Sequence, residues 1–235
     1  MEELDEVILS KERKFDGVVI DVEHWKVRLP DGSEGLREIV LHKGAAAVIP
    51  VDEQGRVALV RQYRTPLERE TLEIPAGKLD FPGEDPLECA KRELREETGL
   101  KAEEWRKLVA LRTTPGFCNE TIHMYMARGL SQGERDLDDD EFLNVEWMPI
   151  ERVTNMILEG RIEDSKTIAA VLMAKEILNQ QAWVRQSSRV PGGKERLYAH
   201  RRGDGGVEAF RQNSRRRTGG CGAGGYPSAV CVGAL

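Results

Sequence analysis

Three glutamates near the middle of the chain have a spacing that suits cation binding. Glu93, Glu96 and Glu97 stand at i, i+3 and i+4 of a run with helical periodicity from Leu87 to Thr98, so on a helix they share one face. Three neighbouring carboxylates repel one another, and such hard oxygen ligands suit Mg²⁺ or Mn²⁺ bound together with substrate phosphates. The residues alone leave a second interpretation open, a solvent-exposed helix whose Lys and Arg residues pair with the glutamates.

The same run predicts how the glutamates are positioned. Asp85-Pro86 is typical of a helix start and Gly99 of a helix end. Arg92 lies one turn before Glu96, where its guanidinium can orient the carboxylates by hydrogen bonding.

The segment from Gly77 to Leu100 resembles the box that defines the Nudix hydrolase family. The matching residues are Gly77, Glu84, Arg92, Glu93, Leu94, Glu96, Glu97, Gly99 and Leu100. The stretch from Lys78 to Gly83 is one residue longer than in the usual box, with Phe81-Pro82 filling the extra space. Because the insertion precedes the helix, we expect the glutamate face to be intact.

The resemblance covers roughly residues 15 to 180 and is similar to the ADP-ribose pyrophosphatase branch of that family. Pro115 lies 16 residues after Gly99, a position that marks ADP-ribose hydrolases in the family. The segments VRQYR, LEIPAG and TTPGFCNE are similar to the same branch. Without the resemblance, Pro115-Gly116 indicates only a turn between strands.

The resemblance implies an enzyme, a Nudix pyrophosphohydrolase that uses Mg²⁺, or Mn²⁺, to hydrolyse the diphosphate of ADP-ribose to AMP and ribose 5-phosphate. It implies Glu93, Glu96, Glu97 and the main-chain carbonyl of Ala76 as metal ligands. Glu141 matches the base that accepts a proton from water, with Asp139 and Asp140 as competing candidates.

The resemblance also implies substrate contacts. Arg64 and Glu73 correspond to the nucleotide side, Pro115 to the branch's loop, and Glu120 to the distal ribose. A guanidinium at position 64 can bridge phosphate oxygens in a fork, although a salt bridge at a strand end explains Arg64 equally well. Glu120 could equally face water.

The predicted fold class is α/β. Alternating segments predict a hairpin over residues 17–42, a second hairpin over residues 45–64, three later strands and two C-terminal helices. The resemblance implies an α/β/α sandwich around a mixed sheet for residues 43–184, preceded by antiparallel strands in residues 1–42 that are exchanged in a homodimer.

The composition of the chain limits the classes of protein to which it can belong. The chain has 235 residues, 35 Lys and Arg, 41 Asp and Glu, and a net charge of −6. No run approaches the roughly 20 apolar residues of a spanning helix, the acidic start differs from a secretory signal, and the acidic body argues against general nucleic-acid binding. We therefore expect a cytoplasmic protein with four free cysteines and no nucleic-acid or membrane partner.

Residues 185–235 differ in kind from the rest of the chain. They hold ten Lys and Arg, three Asp and Glu, and 11 of the 23 glycines, a composition typical of disorder. A basic arm that contacts nucleic acid through Arg215, Arg216 and Arg217, or the product of a shifted reading frame, are the other interpretations.

Two other functions remain open from the sequence. The chain could hydrolyse another nucleoside diphosphate sugar, such as ADP-glucose or GDP-mannose. It could also be a non-catalytic sensor that binds ADP-ribose, although the complete set Glu93, Glu96 and Glu97 argues against a pure binder.

Overall fold

A computed structural model describes residues 4–81, 83–137 and 142–187. Within them the chain forms ten strands and three α-helices. In chain order these are β1 (Val7–Asp16), β2 (Ile20–Arg28), β3 (Glu34–His42), β4 (Ala45–Pro50), β5 (Arg56–Arg64), β6 (Arg69–Glu73), β7 (Ala76–Lys78), α1 (Pro86–Thr98), β8 (Leu100–Arg112), β9 (Thr121–Gln132), β10 (Leu143–Pro149), α2 (Ile150–Leu158) and α3 (Ser165–Ser187). A short 3₁₀ turn, Thr65–Leu67, separates β5 from β6.

The central sheet is mixed and has the strand order β7-β4-β9-β8. Strands β4 and β9 are parallel, and the other two pairings are antiparallel. All six residues of β4 are buried, as expected of a strand covered on both faces.

Helices cover both faces of this sheet. Alternate residues of β4 point to opposite sides. Ala45, Ala47 and Ile49 share a core with Ala170, Val171 and Ala174 of α3. On the other face, Val48 packs with Leu94, and Ala46 packs with Cys89 and Ala90 of α1. The predicted α/β/α sandwich with a mixed sheet is therefore confirmed.

A second sheet extends from the core to the protein surface. Its strand order is β10-β5-β6, with both pairings antiparallel. The first half of β5 is buried from Val57 to Val60, whereas its end, from Gln62 to Arg64, reaches a cleft. This strand therefore connects the core with the side chains that line the cleft.

The N-terminal segment forms an antiparallel sheet of its own, in the order β1-β2-β3. The predicted hairpin corresponds to β2 and β3, and Gly32 in their turn has a φ of 86°. Strand β1 was not predicted, because the charged run KERK interrupts its alternation. Its residues Val7, Ile8, Leu9 and Phe15 are exposed.

The predicted boundary after residue 184 stays a prediction. Helix α3 ends at Ser187, and residues 188–235 lie outside the described residues, so the predictions for the tail stay predictions. Among residues 4–187, no helix combines the length and the apolar character needed to cross a membrane.

Candidate active site

Helix α1 is fixed at both ends by the residues that the sequence indicated. The side chain of Asp85 accepts a hydrogen bond of 2.9 Å from the backbone N–H of Leu87, which satisfies a free donor of the first turn. Gly99 ends the helix with a φ of 72°, a left-handed conformation that glycine adopts without strain. Leu94 is fully buried, so the register of the helix is set by the core.

Two of the three glutamates lie against the backbone of β7. A β-carbon on Gly77 would lie 2.0 Å from Oε1 of Glu93, so glycine is what lets this carboxylate approach the main chain. The backbone N–H of Ala76 donates a hydrogen bond of 3.2 Å to Oε2 of Glu97. Glu93 and Glu97 are 7% and 2% exposed, and Glu96 is half-buried. The glutamate face of α1 is therefore packed against the protein and is not a solvent-exposed helix surface.

Arg92 holds these carboxylates together. One of its terminal nitrogens donates to Glu93 at 2.7 Å and to Glu96 at 3.3 Å. The other contacts Glu84 at 3.4 Å. Burial lowers the pKa of Arg92, but the surrounding carboxylates, first Glu93, outweigh burial and raise it. Arg92 therefore remains a cation among the acids.

The insertion before the helix is taken up by a turn. The backbone N–H of Asp80 donates to Oε2 of Glu84 at 2.7 Å, and Gly83 has a φ of 91°. Phe81 is exposed. With the extra residue in place, Glu84 lies within reach of Arg92.

Arg64 and Glu73 form a bidentate ion pair across the β5–β6 hairpin. The two guanidinium–carboxylate distances are 2.8 and 2.6 Å. Thr71 donates to the same carboxylate at 2.6 Å, and Lys166 of α3 contacts it as well. Burial raises the pKa of Glu73, but the hydrogen bond from Arg64 and the charge of Lys166 outweigh burial and lower it to about 2.

A cleft of about 590 Å³ joins this pair to the helix. It is lined by Gln62, Tyr63, Arg64, Gly77, Lys78, Asp80, Arg92, Glu93, Glu96 and Phe142. The lining thus combines carboxylates with cationic and aromatic side chains. The structure brings together the predicted Arg64, Arg92, Glu93 and Glu96 in one cleft.

Pro115 and Glu120 occupy a different place. Thr113 donates to Glu120 at 2.8 Å, and the side chain of Asn119 accepts from the backbone of His42 at 2.7 Å. These contacts hold the loop against the end of β3, and neither Pro115 nor Glu120 is among the described residues that line the cleft. Glu141, with Asp139 and Asp140, lies outside the described residues. The substrate roles of Pro115 and Glu120 and the base role of Glu141 stay predictions.

The acidic face fits a hard divalent cation in its chemistry. Glu93, Glu96, Glu97 and the Ala76 carbonyl are oxygen donors of the kind that Mg²⁺ prefers, and Gly77 leaves room for one carboxylate beside the main chain. Within residues 4–81, 83–137 and 142–187, no three acidic, histidine or cysteine side chains already converge on one point. Arg92 and the Ala76 N–H hold their oxygens instead.

Two charged residues at the site were not predicted from the sequence. Asp80 lies 3.3 Å from Arg92, and Lys166 contacts Glu73 from 93 residues away. The Asp164-Ser165 start of α3 is readable as a helix cap. The pairing of Lys166 with Glu73 cannot be predicted from the sequence, because only the packing of the layers brings these residues together.

Comparison with known proteins decides the family. The NUDIX domain matches residues 41–171. The chain belongs to the Nudix family. This confirms the resemblance that the box indicated.

Three similar proteins give the position within the Nudix family. An ADP-ribose pyrophosphatase of Bacillus subtilis is 43% identical over 77% of this chain and 100% of its own length. A protein of Bacillus methanolicus named methanol dehydrogenase activator is 44% identical over 71% and 91%. An ADP-ribose pyrophosphatase of Mycobacterium tuberculosis is 40% identical over 73% and 84%. Two of the three carry the name of the predicted branch.

A solved structure agrees on the fold. The crystal structure of an ADP compounds hydrolase superposes with a TM-score of 0.68 over 77% of this chain and 98% of that chain, at 23% identity. At this identity the likeness concerns the fold, and it supports the Nudix α/β/α sandwich.

Proposed function

We propose that this Nudix protein is a metal-dependent pyrophosphohydrolase that cleaves ADP-ribose to AMP and ribose 5-phosphate. The observation that carries the proposal is the packing of Glu93 and Glu97 against the backbone of Gly77 and Ala76, beside a cleft that Arg64 also lines. The names of two similar proteins support ADP-ribose as the substrate.

The reaction requires charge neutralisation, because the diphosphate is already anionic when water attacks it. We propose Mg²⁺, with Mn²⁺ as a substitute, held by Glu93, Glu96, Glu97 and the Ala76 carbonyl. When bound there, a divalent cation supplies Lewis-acid stabilisation of the phosphate oxygens and lowers the pKa of water.

The chain's own residues position the substrate and the ligands. Arg64 offers guanidinium N–H groups to phosphate oxygens in a fork. Arg92 orients Glu93 and Glu96 through the hydrogen bonds described above. Glu141 is the proposed base that accepts the proton of the attacking water, with Asp139 and Asp140 as alternatives.

The remaining predictions concern parts outside the cleft. Pro115 is proposed to contact the substrate from its loop, and Glu120 to lie near the distal ribose. The exposed apolar residues of β1 support the prediction that residues 1–42 mediate a homodimer, since exposed apolar patches commonly mark interfaces. Light scattering should give twice the chain mass of 26.4 kDa; a monomer mass would contradict the proposed dimer.

We also propose a cytoplasmic location and a catalytic domain that spans residues 43–184.

Product analysis tests the activity. Purified protein is incubated with ADP-ribose, ADP-glucose, GDP-mannose or NADH, each with Mg²⁺ and with chelator, and the products are separated by chromatography. We expect AMP from ADP-ribose, only with metal and far faster than from the others. Preference for another sugar nucleotide would leave the metal site standing and remove the substrate assignment, and binding of ADP-ribose without cleavage would favour a sensor.

A further inference from the structure

Glu73 has no free acceptor position left for a substrate. A carboxylate offers about four lone-pair positions, and four donors occupy those of Glu73. Its Oε1 accepts from Arg64 at 2.8 Å and from Thr71 at 2.6 Å. Its Oε2 accepts from Arg64 at 2.6 Å and from Lys166. With only 3% of the residue exposed, Glu73 acts on its neighbours rather than on a ligand.

Arg64 is the neighbour that reaches the cleft. A guanidinium has five N–H donors in a fixed plane, and Arg64 uses one on Nε and one on a terminal nitrogen for Glu73. Its side chain is 39% exposed and lines the cleft beside Gly77 and Glu93. The edge that is not bound to Glu73 is therefore available to the diphosphate, and the Glu73 carboxylate sets its direction.

Lys166 completes this arrangement from another layer of the fold. Its ammonium group contacts Glu73 and lies 3.0 Å from Asp164, and its side chain is 10% exposed. Asp164 in turn accepts from the backbone N–H of Thr167 at 2.9 Å, which fixes the first turn of α3. Lys166 thus comes from a helix held in place by its own hydrogen bonds.

The charges explain why a second cation is needed. Arg64 alone cannot balance the two neighbouring carboxylates, Glu73 and Asp164. Lys166 contacts both of them, so the second carboxylate does not outweigh the positive charge that Arg64 presents to the diphosphate.

We infer that Lys166 is a positioning residue for substrate binding, acting through Glu73 to orient Arg64 and to preserve its charge for the diphosphate. This inference rests on the proposed function for its substrate. According to this inference, Glu73 acts through Arg64 and does not itself contact the nucleotide.

The test compares Lys166→Met with Lys166→Arg and with a matched control, Lys175→Met, on the same helix. Lys175 lies beside a separate cavity with Asp52 and Arg128. For K166M we expect KM for ADP-ribose to rise roughly tenfold with kcat within about twofold of the wild type, the pattern of lost ground-state binding. K166R and K175M should keep the wild-type KM.

A second measurement does not need turnover. In the presence of chelator, isothermal titration with ADP as the probe should show a roughly tenfold weaker Kd for K166M than for K166R. If the wild type does not cleave ADP-ribose, the proposed function fails, while the ADP titrations still decide the role of Lys166.

Thr71→Val provides a variant that removes no charge, in case K166M does not fold. It deletes one hydrogen bond to the same carboxylate, and we expect a rise in KM of about threefold with kcat unchanged. The inference is overturned if K166M and T71V keep the wild-type KM and ADP affinity, if K166M loses kcat alone, or if K166R is as impaired as K166M.

Discussion

A β-carbon added to Gly77 would lie 2.0 Å from a carboxylate oxygen of Glu93. Such a separation is far below van der Waals contact distance, so Glu93 can hold its position only while residue 77 is glycine. The atom in conflict is the end of a flexible side chain and not backbone. Glu93 can therefore move away at little cost to the fold, but it then leaves the position in which it serves the acidic face.

Gly77→Ala should separate activity from stability. We expect kcat for ADP-ribose to fall by about two orders of magnitude or more. Moving Glu93 would displace a proposed metal ligand, and loss of groups that stabilise transition-state charge is among the largest catalytic losses. The melting temperature should change by a few degrees at most. Steady-state kinetics and thermal unfolding measure the two effects. Near-normal turnover in G77A would contradict the importance of this close approach.

Gly99→Ala is the matched comparison and should have the opposite outcome. Gly99 has a φ of 72°, and its β-carbon would lie 3.1 Å from the backbone oxygen of Gly133. Neither strain can be relieved by a side chain alone, so we expect a loss of about 1 kcal/mol or more in the free energy of unfolding. Urea titration measures it. The specific activity of the folded fraction should stay close to the wild type.

Glu97→Gln should cost orders of magnitude in kcat and leave the fold intact. The amide oxygen of glutamine can still accept the hydrogen bond from Ala76 N–H, but its neutral group is a far weaker ligand for Mg²⁺. The control is Glu88→Gln on the same helix, whose side chain is 63% exposed and pairs with Lys91. E88Q should be fully active, and an E97Q enzyme with wild-type turnover would sink the assignment of Glu97.

The pKa of Glu73 predicts how stability depends on pH. The folded-state pKa is about 2, against an ordinary value of 4.5. A depressed pKa means that the carboxylate stabilises the fold above the unfolded value and that this contribution is lost as pH falls towards the folded value. We expect the wild type to be more stable than Glu73→Gln at neutral pH, with the difference shrinking between about pH 4.5 and pH 2. Urea unfolding at several pH values checks this, and a difference that does not change with pH would contradict it.

Asp85→Ala should weaken helix α1 without touching the acidic face. Loss of the side-chain hydrogen bond to Leu87 N–H should cost about 1 kcal/mol of unfolding free energy. Asp85→Asn should retain most of it, since asparagine is an equally good cap. Equal destabilisation by both substitutions, measured by urea titration, would show that the carboxylate charge and not the cap is what matters.

The sequence predicts the local features of this protein well, because their causes are local. Asp85 and Gly99 mark the ends of α1, and the alternation in residues 17–42 marks β2 and β3. Strand β1 was not predicted because the charged run KERK interrupts the alternation of its residues, and all ten of them are exposed.

The candidate site divides in the same way. Arg92 and the glutamates share one helix, so spacing alone places them together. The contacts of Glu73 with Lys166 and of Ala76 with Glu97 join residues far apart in the chain. Only the packing of α3 and α1 on opposite faces of the sheet creates them, and no short pattern in the sequence contains that information.

The acidic helix is not a portable unit. Glu93 and Glu97 are buried because β7 and the sheet lie against them. As an isolated peptide the same 13 residues would expose Glu93, Glu96 and Glu97 to water without the Ala76 amide or the space beside Gly77. Grafting this helix onto another scaffold would therefore transfer the box but not the site, and a minimal transplant has to carry β7 and its supporting sheet as well.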